Sequence, residues 1–469
     1  MKPVANHHSN SVLRKTLVAA FVGASSILFS GHSSAIDLYW ETTSGTWSAA
    51  ATSWSTTSGG SPTVAWTNGR SAIIEATSAT MTLGASVTAL NFTDTSATTL
   101  INDIPNPGGS RALTVTGTGV GSLTLSGSMS SANRLDLVLN AGVQWTGSVT
   151  LDPNLGATKN NATGNRLILN LNSGGSGLAA VNNGGIIVMI DSATIGSLSG
   201  TGSGAWVNAA AGTVGTTKIL TISQTTNTTY AGVLQDDGGT GSLRALALVK
   251  NNSGRLRLTG TNTNVGTTTI SGGALYVNGT TSGQGAYSVG GSATLGGTGS
   301  IGLSGSNTVN VADGGNLDPG DKSDVGIASV GTLVIGGATS GAGMTFGGTA
   351  SIQFALGTTK DMITLTGSTM NGSASGGIGS ITFDFNNTGA ATTTTYDLIS
   401  FGGTTQGIAL NTFALSASSI SAGWSGTFVY GGDGNTLQFA ATSIPEPGAV
   451  LLCGLGLGSL FLFRKRLSC

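Results

Sequence analysis

The sequence predicts an all-β protein whose body is an elongated parallel β-helix, and three observations carry this prediction. First, apolar residues alternate with Thr, Ser or Asn over short runs such as Leu123-Thr124-Leu125, and a period of two places one set of side chains on one face of a sheet. Second, Gly- and Asn-rich turns separate these runs, without helical patterns between them. Third, the texture is uniform from Leu83 to Phe439, which is typical of stacked coils and not of separate compact domains.

The composition agrees with a packed β protein that has a hydroxyl-rich surface. The chain has 469 residues, of which 77 are Gly and only 8% are charged, whereas ~25% are charged in an average globular domain. Gly does not recur at every third position, which excludes a collagen helix. The abundance of Thr, Val and Ile gives the chain apolar side chains to bury and argues against disorder.

The charge distribution excludes nucleic acid as a partner. Between Ile36 and Ile444 the chain has 12 Lys and Arg against 18 Asp and Glu, a net charge of −6. Neutralising several phosphates needs clustered cations. The one local cluster, Lys250, Arg255 and Arg257, is too small for that.

The positions of His and Cys narrow the chemistry of the body. His7, His8 and His32 all lie near the N-terminus, and Cys453 and Cys469 lie near the C-terminus. The body between them therefore has no residues for Ser-His-Asp or Cys-His catalysis, for His- or Cys-ligated metals, or for disulfides. We expect no cofactor and no catalytic residue of these kinds.

Residues 1–35 have the pattern of a secretory signal peptide, which would be exported by Sec-type machinery. The apolar run Thr16–Phe29 precedes small residues at Ser33 and Ala35, and such a series predicts cleavage between Ala35 and Ile36. A short buried helix is the alternative interpretation. The basic residues that precede the run are Lys2, Arg14 and Lys15.

The segment 441–469 contains an apolar span followed by cations. Residues 448–463 carry no charge, and sixteen residues in a helix rise ~24 Å, slightly less than a ~30 Å hydrocarbon core. We expect one transmembrane helix here, with the body outside the cell and the basic tail in the cytoplasm. The residues that flank the span are Pro445, Glu446 and Pro447 before it and Arg464, Lys465 and Arg466 after it.

The order Pro-Glu-Pro, apolar span and basic cluster resembles the PEP-CTERM sorting signal. This resemblance implies that 448–463 anchors the protein transiently until an exosortase recognises the signal and cleaves near Pro445–Pro447. Two prolines restrict the backbone and disfavour helix in the preceding residue, which keeps the tripeptide extended for an enzyme to bind. A permanent membrane anchor is the alternative.

Within the body, assigned to residues 36–440, one stretch has a recognisable repeat pattern. Residues 248–277 contain Leu248-Val-Lys250, Leu256-Arg-Leu258, Thr268-Thr-Ile270 and Gly272-Gly-Ala-Leu275-Tyr-Val277. This stretch resembles the autotransporter-associated β-strand repeat, which implies a right-handed parallel β-helix of an exported protein. The chain ends in an apolar span and not in strands of an outer-membrane barrel, so we do not expect it to translocate itself.

Four carboxylates lie close together in a turn region and form a candidate metal site. They are Asp313, Asp318, Asp321 and Asp324. Oxygen ligands of this kind suit calcium, but Asp is also an ordinary turn residue. No EF-hand spacing is present, so we favour turn chemistry and expect no metal.

Four tryptophans near the start of the body allow two interpretations. Trp40, Trp47, Trp54 and Trp66 could stack on the apolar faces of sugars, or they could seal the open end of a solenoid core. We favour the seal.

Together these features favour a non-enzymatic structural or adhesive protein, exported and sorted to the cell surface or to an extracellular polysaccharide matrix. A glycan-active enzyme on a β-helix, a polysaccharide lyase or hydrolase, is the alternative, because paired carboxylates can act without His. Its candidate residues are Asp236, Asp237 and Arg244, together with Asp313–Asp324. Carbohydrate binding through the four tryptophans is a third hypothesis.

Overall fold

The computed structural model describes residues 37–444, apart from 102–109, 127–133, 141–142, 153–165, 172–175, 184, 190, 202–204, 210–214, 237–243, 323–327, 338–341, 367–370, 388–393 and 403–406. The predicted signal peptide with its cleavage position at Ala35 and Ile36, and the sorting signal from Pro445 onward, lie outside these residues. Within the described part of the chain, no helix has the length and apolar character needed to cross a bilayer.

More than half of the described chain forms strands, most of them short. In its first part these are β1 (Asp37–Trp40), β2 (Ser44–Trp47), β3 (Arg70–Ile74), β4 (Thr80–Leu83), β5 (Val87–Ile101), β6 (Ser110–Val115), β7 (Thr118–Ser126), β8 (Arg134–Leu139), β9 (Gln144–Leu151), β10 (Arg166–Leu171), β11 (Ser176–Asn183), β12 (Ile186–Met189), β13 (Ala193–Ile195), β14 (Leu198–Ser199) and β15 (Trp206–Asn208).

The second part continues the series with mostly shorter strands and contains, before its last two strands, the one α-helix of the described residues. These elements are β16 (Thr217–Ser223), β17 (Thr228–Tyr230), β18 (Val233–Gln235), β19 (Ala245–Asn251), β20 (Arg255–Leu258), β21 (Thr261–Asn262), β22 (Thr268–Ile270), β23 (Ala274–Val277), β24 (Thr280–Thr281), β25 (Tyr287–Val289), β26 (Thr294–Gly297), β27 (Ser300–Gly302), β28 (Val309–Val311), β29 (Gly315–Pro319), β30 (Asp321–Lys322), β31 (Ala328–Ser329), β32 (Thr332–Gly336), β33 (Ala342–Phe346), β34 (Ala350–Leu356), β35 (Met362–Thr366), β36 (Asn371–Ala374), β37 (Ile381–Asn387), β38 (Thr395–Ser400), a 3-10 helix (Leu410–Thr412), β39 (Phe413–Leu415), α1 (Ala417–Ala422), β40 (Ser425–Tyr430) and β41 (Thr436–Ser443).

In the first part, long strands bend from one face of the stack to the next. Strand β5 pairs in parallel with β6 through Val87 and with β7 through residues 92–101. The register of β11 against β9 shifts near Gly147, which has a φ of 137°. A Cβ at Gly147 would lie 2.1 Å from the carbonyl oxygen of Gly121 in the preceding coil, so glycine is required where the strands bend at close approach.

From β16 onward the coils separate into three rows of short parallel strands, which we call faces 1, 2 and 3. Face 1 contains β16, β19, β22, β25, β28, β33 and β36; face 2 contains β17, β20, β23, β26, β29, β34, β37 and β39; face 3 contains β21, β24, β27, β32, β35 and β38. From β19 to β38, each coil contributes one strand to each face. The prediction of an all-β protein with parallel sheets is confirmed, and the pairing is consistent with a β-helix.

Alternation along each strand builds the core. On face 2, Leu256, Leu275, Leu295 and Leu317 stand in register in successive coils, and all four are fully buried. Burying one such side chain contributes ~1.5–3 kcal/mol before chain entropy is subtracted. A continuous apolar row therefore joins each coil to its neighbours.

The C-terminal end of the described chain closes the stack with antiparallel strands. Strand β41 pairs antiparallel with both β38 and β40. Helix α1 begins after Ser416, whose hydroxyl accepts a hydrogen bond from the Ser419 amide, and it ends at Gly423 with a φ of 101°. We refer to residues 407–444 as the C-terminal cap.

Candidate functional site: a charged cluster on face 2

The most concentrated group of charges lies on the outward side of face 2. Because Leu256, Leu275 and Leu317 point into the core, the next residue of each strand points outward. These outward residues include Arg257, Tyr276 and Asp318. Strands β30 and β31 form an antiparallel hairpin directly after β29, and we call this hairpin the clasp.

Arg257 joins the clasp to a coil much earlier in the chain. Its Nε and Nη2 donate to Asp321 Oδ1 at 2.9 and 2.8 Å, and Nη2 also donates to the carbonyl oxygen of Lys322 at 2.7 Å. The ion pair is mostly shielded, since the side chains of Arg257 and Asp321 are 15% and 24% exposed. Such charge-assisted bonds are stronger than neutral ones, so this pair holds β30 against β20.

Asp318 is the buried centre of the cluster. It is 5% exposed and accepts a hydrogen bond from the hydroxyl of Tyr276. Lys322 Nζ lies 2.9 Å from Asp318 Oδ2 and also contacts Gln353 Oε1 in the following coil. Burial, and after it the negative charge of Asp318, raises the pKa of the Tyr276 phenol, so the phenol remains a neutral donor to the carboxylate.

Tyr276 reaches Asp318 across an intervening coil, and Gly296 makes this possible. Gly296 pairs with Tyr276 on one side and with Asp318 on the other. A Cβ at Gly296 would lie 2.9 Å from Tyr276 Cε1 and 2.3 Å from the Asp318 carbonyl oxygen. Any larger residue at this position would therefore displace the tyrosine ring.

Asp361 holds the base of the clasp. It is 2% exposed, and it accepts hydrogen bonds from the backbone amides of Gly331 at 2.8 Å and of Ala355 at 2.6 Å. Burial raises the pKa of Asp361 to about 7, opposed by these two amide bonds. Gly331 follows the clasp in the chain, so Asp361 connects the end of the clasp to the end of β34.

Of the four carboxylates weighed as calcium ligands, the three that the structure describes have separate partners. Asp313 faces the next coil, where it accepts bonds from the amide of Thr349 at 2.7 Å and from its hydroxyl at 2.5 Å, and the hydroxyl bond is the main cause of its lowered pKa. Asp318 and Asp321 pair with Lys322 and Arg257 as described above. Asp324 lies outside the described residues, among which no group of three or more His, Cys, Asp or Glu could hold a metal.

Asp236, from the second group of acidic candidates, is hydrogen-bonded to backbone amides. Asp236 is buried and accepts hydrogen bonds from the amides of Leu246 at 2.7 Å and Val265 at 2.9 Å. Burial raises its pKa, while the two amides lower it. Asp236 thus connects a corner to the next coil. Its sequence neighbour Asp237 lies outside the described residues.

The four N-terminal tryptophans form a buried cluster, which confirms the interpretation as a seal. Trp40, Trp47 and Trp54 are fully buried and Trp66 is 2% exposed. The ring centroid of Trp47 lies 5.0 Å from that of Trp54 and 4.9 Å from that of Trp66. Because the rings contact one another inside the core, their faces are not exposed at the surface, and this arrangement favours the seal over sugar stacking.

Sequence reasoning missed several residues of the cluster and assigned no role to a buried lysine. Tyr276, Lys322, Gln353 and Asp361 belong to no sequence motif, and which of them meet depends on which residues successive coils place side by side.

Lys250 replaces an aliphatic residue in a core row between Ile222 and Ile270. Its Nζ donates to three carbonyl oxygens at a corner, and burial lowers its pKa to about 8.

The cluster joins coils and does not present a carboxylate pair to a polymer. Hydrolysis of a glycoside needs two carboxyl groups that flank the substrate bond, whereas Asp318 and Asp361 are nearly inaccessible and Asp321 is held by Arg257. The arrangement links β20, β23, β29 and β34 through the clasp. No protein-family model matches this chain, and no curated protein sequence matches it either.

Proposed function

We propose that this chain is a non-enzymatic exported protein, structural or adhesive, of the cell surface or of an extracellular polysaccharide matrix. In this proposal residues 1–35 are a signal peptide handled by Sec-type machinery, and the body is a right-handed parallel β-helix. Residues 448–463 then form a transmembrane helix that anchors the protein in the membrane until an exosortase processes it.

The single observation that carries the proposal is the order of residues at the C-terminus. Pro445-Glu446-Pro447 precedes sixteen uncharged residues, and Arg464-Lys465-Arg466 follows them. An uncharged segment of near-membrane length with cations on one side favours insertion with those cations in the cytoplasm. The body would then lie on the opposite side of the membrane, where a matrix is assembled.

The chemistry of the body supports a structural role. The described acidic residues that were candidates for glycan cleavage are bonded to backbone amides, to cations or to a tyrosine of a neighbouring coil. Groups committed in this way stabilise a stack and are not poised for proton transfer to a substrate. Depolymerisation of an acidic polysaccharide by the purified protein would contradict the non-enzymatic part of the proposal.

The sorting step can be tested with the full chain in a bacterium that has or lacks an active exosortase. With the enzyme, the mass of the surface protein should correspond to a chain that starts at Ile36 and ends near Pro445–Pro447. Replacement of these three residues by Ala should leave the tail attached, whereas the matched control Pro62→Ala should be processed normally. A mature protein that retains 448–466 beside an active exosortase would refute the assignment.

A further inference from the structure

The two most exposed large apolar side chains of the described residues lie toward the C-terminal end. Ile378 is 83% exposed and Ile420 is 59% exposed. Leu410 nearby is 38% exposed, which is no more than Val120, Ile219 and Val265 elsewhere in the stack. The turn that carries Ile378 contacts the segment of Leu410, because the Gly379 amide donates to the carbonyl oxygen of Asn411 at 2.9 Å. Ile420 lies on α1. The closing of the stack does not by itself explain why these three apolar side chains are exposed to water.

An apolar groove continues this surface toward the point where the described chain ends. The groove has a volume of about 450 Å³ between β39 and β40. On the β40 side, Ser425 pairs with Ser443, whose hydroxyl donates to the carbonyl oxygen of Gly423 at 3.1 Å. The exposed apolar residues and the exit of the chain are therefore at the same end. The groove is lined by Leu410, Asn411, Phe413, Ala414, Leu415, Gly426, Thr427 and Phe428.

The C-terminal cap also has few of the charges that usually cover a surface. No Asp, Glu, Lys or Arg occurs between Asp397 and Asp433, so this stretch contributes hydroxyl, amide and apolar groups. One carboxylate lies beside the start of α1, where Asp384 Oδ1 accepts hydrogen bonds from the hydroxyls of Ser416 and Ser418 at 2.9 and 2.6 Å. Moving a charge toward hydrocarbon is far more costly than moving a hydroxyl that keeps a hydrogen bond. A surface with few charges and with protruding isoleucines therefore suits a lipid interface better than it suits bulk water.

We propose that this surface, which we call the cap face and define as Ile378, Leu410, Ile420 and the groove beside them, rests on the lipid bilayer while the C-terminal segment is inserted. This inference rests on the proposed function, since it needs 448–463 to enter the membrane. Only Pro445–Pro447 separate Ile444 from that segment. At ~3.5 Å per residue, Ile444 lies within about 14 Å of Gly448. This is about twice the ~5–8 Å headgroup layer on one side of a bilayer, so the short connection keeps this end of the stack close to the lipid surface.

The test uses the full chain, with Cys453 and Cys469 replaced by Ser, in vesicles of phosphatidylcholine and phosphatidylglycerol. One fluorophore is attached at Ser421→Cys beside Ile420, and in a matched protein at Thr56→Cys, an exposed position at the opposite end of the stack. Flotation with the vesicles reports anchoring, and a headgroup-labelled quencher lipid reports contact of the cap face. We expect severalfold stronger quenching at 421 than at 56.

A triple variant, Ile378→Ser with Leu410→Ser and Ile420→Ser, separates cap contact from anchoring. It should float like the parent and melt at the same temperature, because all three side chains are exposed, but lose most of the quenching at 421. Flotation without quenching at 421 would overturn the proposed contact between the cap face and the bilayer, but would still support anchoring by residues 448–463. Absence of flotation would overturn the anchor and this inference with it. Self-quenching between labelled copies, without an effect of the quencher lipid, would assign the face to a second copy and overturn the bilayer contact.

Discussion

The two ends of the described stack are closed by aromatic residues in different ways. At the N-terminal end Trp54 lies within 5.2 Å of Trp40 and 4.8 Å of Trp66, centroid to centroid, and the cluster is sealed from water. At the C-terminal end Phe383 and Phe439 are buried as well, but Phe428 is only partly buried. Isoleucines protrude beside it, as described above.

The N-terminal end shows that a stack of coils can be closed without leaving large apolar side chains exposed to water, so the exposed side chains at the C-terminal end need another explanation. Apolar rows end at both termini of a solenoid, and each end needs a polar outer surface for solubility. The N-terminal end meets this need, because its antiparallel bridges from Tyr39 to Ser55 and from Trp54 to Val64 lay chain over the tryptophans. The C-terminal end meets it only in part, and we attribute the remainder to the bilayer contact proposed above.

The largest expected effect is the loss of a fully buried tryptophan at the sealed end. Trp47→Ala removes a ring that contacts Trp54, Trp66 and Phe92, and such truncations cost ~3–5 kcal/mol of unfolding free energy. Phe428→Ala, at the partly open end, should cost less, ~1.5–3 kcal/mol. Urea unfolding followed by tryptophan fluorescence and by circular dichroism measures both.

Trp47→Phe is the control for the first variant. It keeps an aromatic ring in the cluster, so it should recover much of the stability that Trp47→Ala loses. If Phe428→Ala destabilised the protein as much as Trp47→Ala, the two ends would be equally dependent on their aromatic clusters, and the comparison drawn above would fail.

A smaller effect is expected in the coils between the ends, where the clasp crosses face 2. Gly296→Ala inserts a methyl group that would lie 2.3 Å from the Asp318 carbonyl oxygen and 2.9 Å from the Tyr276 ring. Overpacking of this kind costs ~1–3 kcal/mol. The matched control is Gly432→Ala, since a Cβ at Gly432 meets nothing within 4 Å. Equal melting temperatures for the two variants would show that Tyr276 does not need the space above Gly296.

The sequence predicted the class of fold because alternation is local. Leu256 and Leu258 are buried as their Leu-x-Leu pattern indicates, and the tryptophans seal an end as favoured. The partners of Arg257 could not be predicted in this way, because Asp321 is 64 residues away. Coils differ in length, so a residue's neighbour in the next coil depends on every intervening turn. The sequence shows where the carboxylates are, but it does not predict that they accept hydrogen bonds from backbone amides of neighbouring coils.

The last prediction concerns pH and the clasp region. The pKa of Asp361 is about 7 in the folded protein against a usual value of 3.8, so between these values the folded state binds a proton that the unfolded state has released. Its contribution to stability is complete below about pH 4, is lost as pH rises through about 7, and is constant above that. The slope is at most ~1.4 kcal/mol per pH unit for one proton.

Asp361→Asn should remove this slope, because the amide does not titrate. The measurement is the difference in unfolding free energy between the parent and Asp361→Asn from pH 5 to pH 9, which cancels the titration of other carboxylates such as Asp313 and Asp397, whose pKa values are lowered. We expect the parent to lose stability relative to the variant up to about pH 7 and then to run parallel to it. A difference that stays constant over the whole range would mean that Asp361 is already ionised at pH 5. Its two amide partners, Gly331 and Ala355, would then stabilise the charge more than burial opposes it, and the clasp would be insensitive to pH.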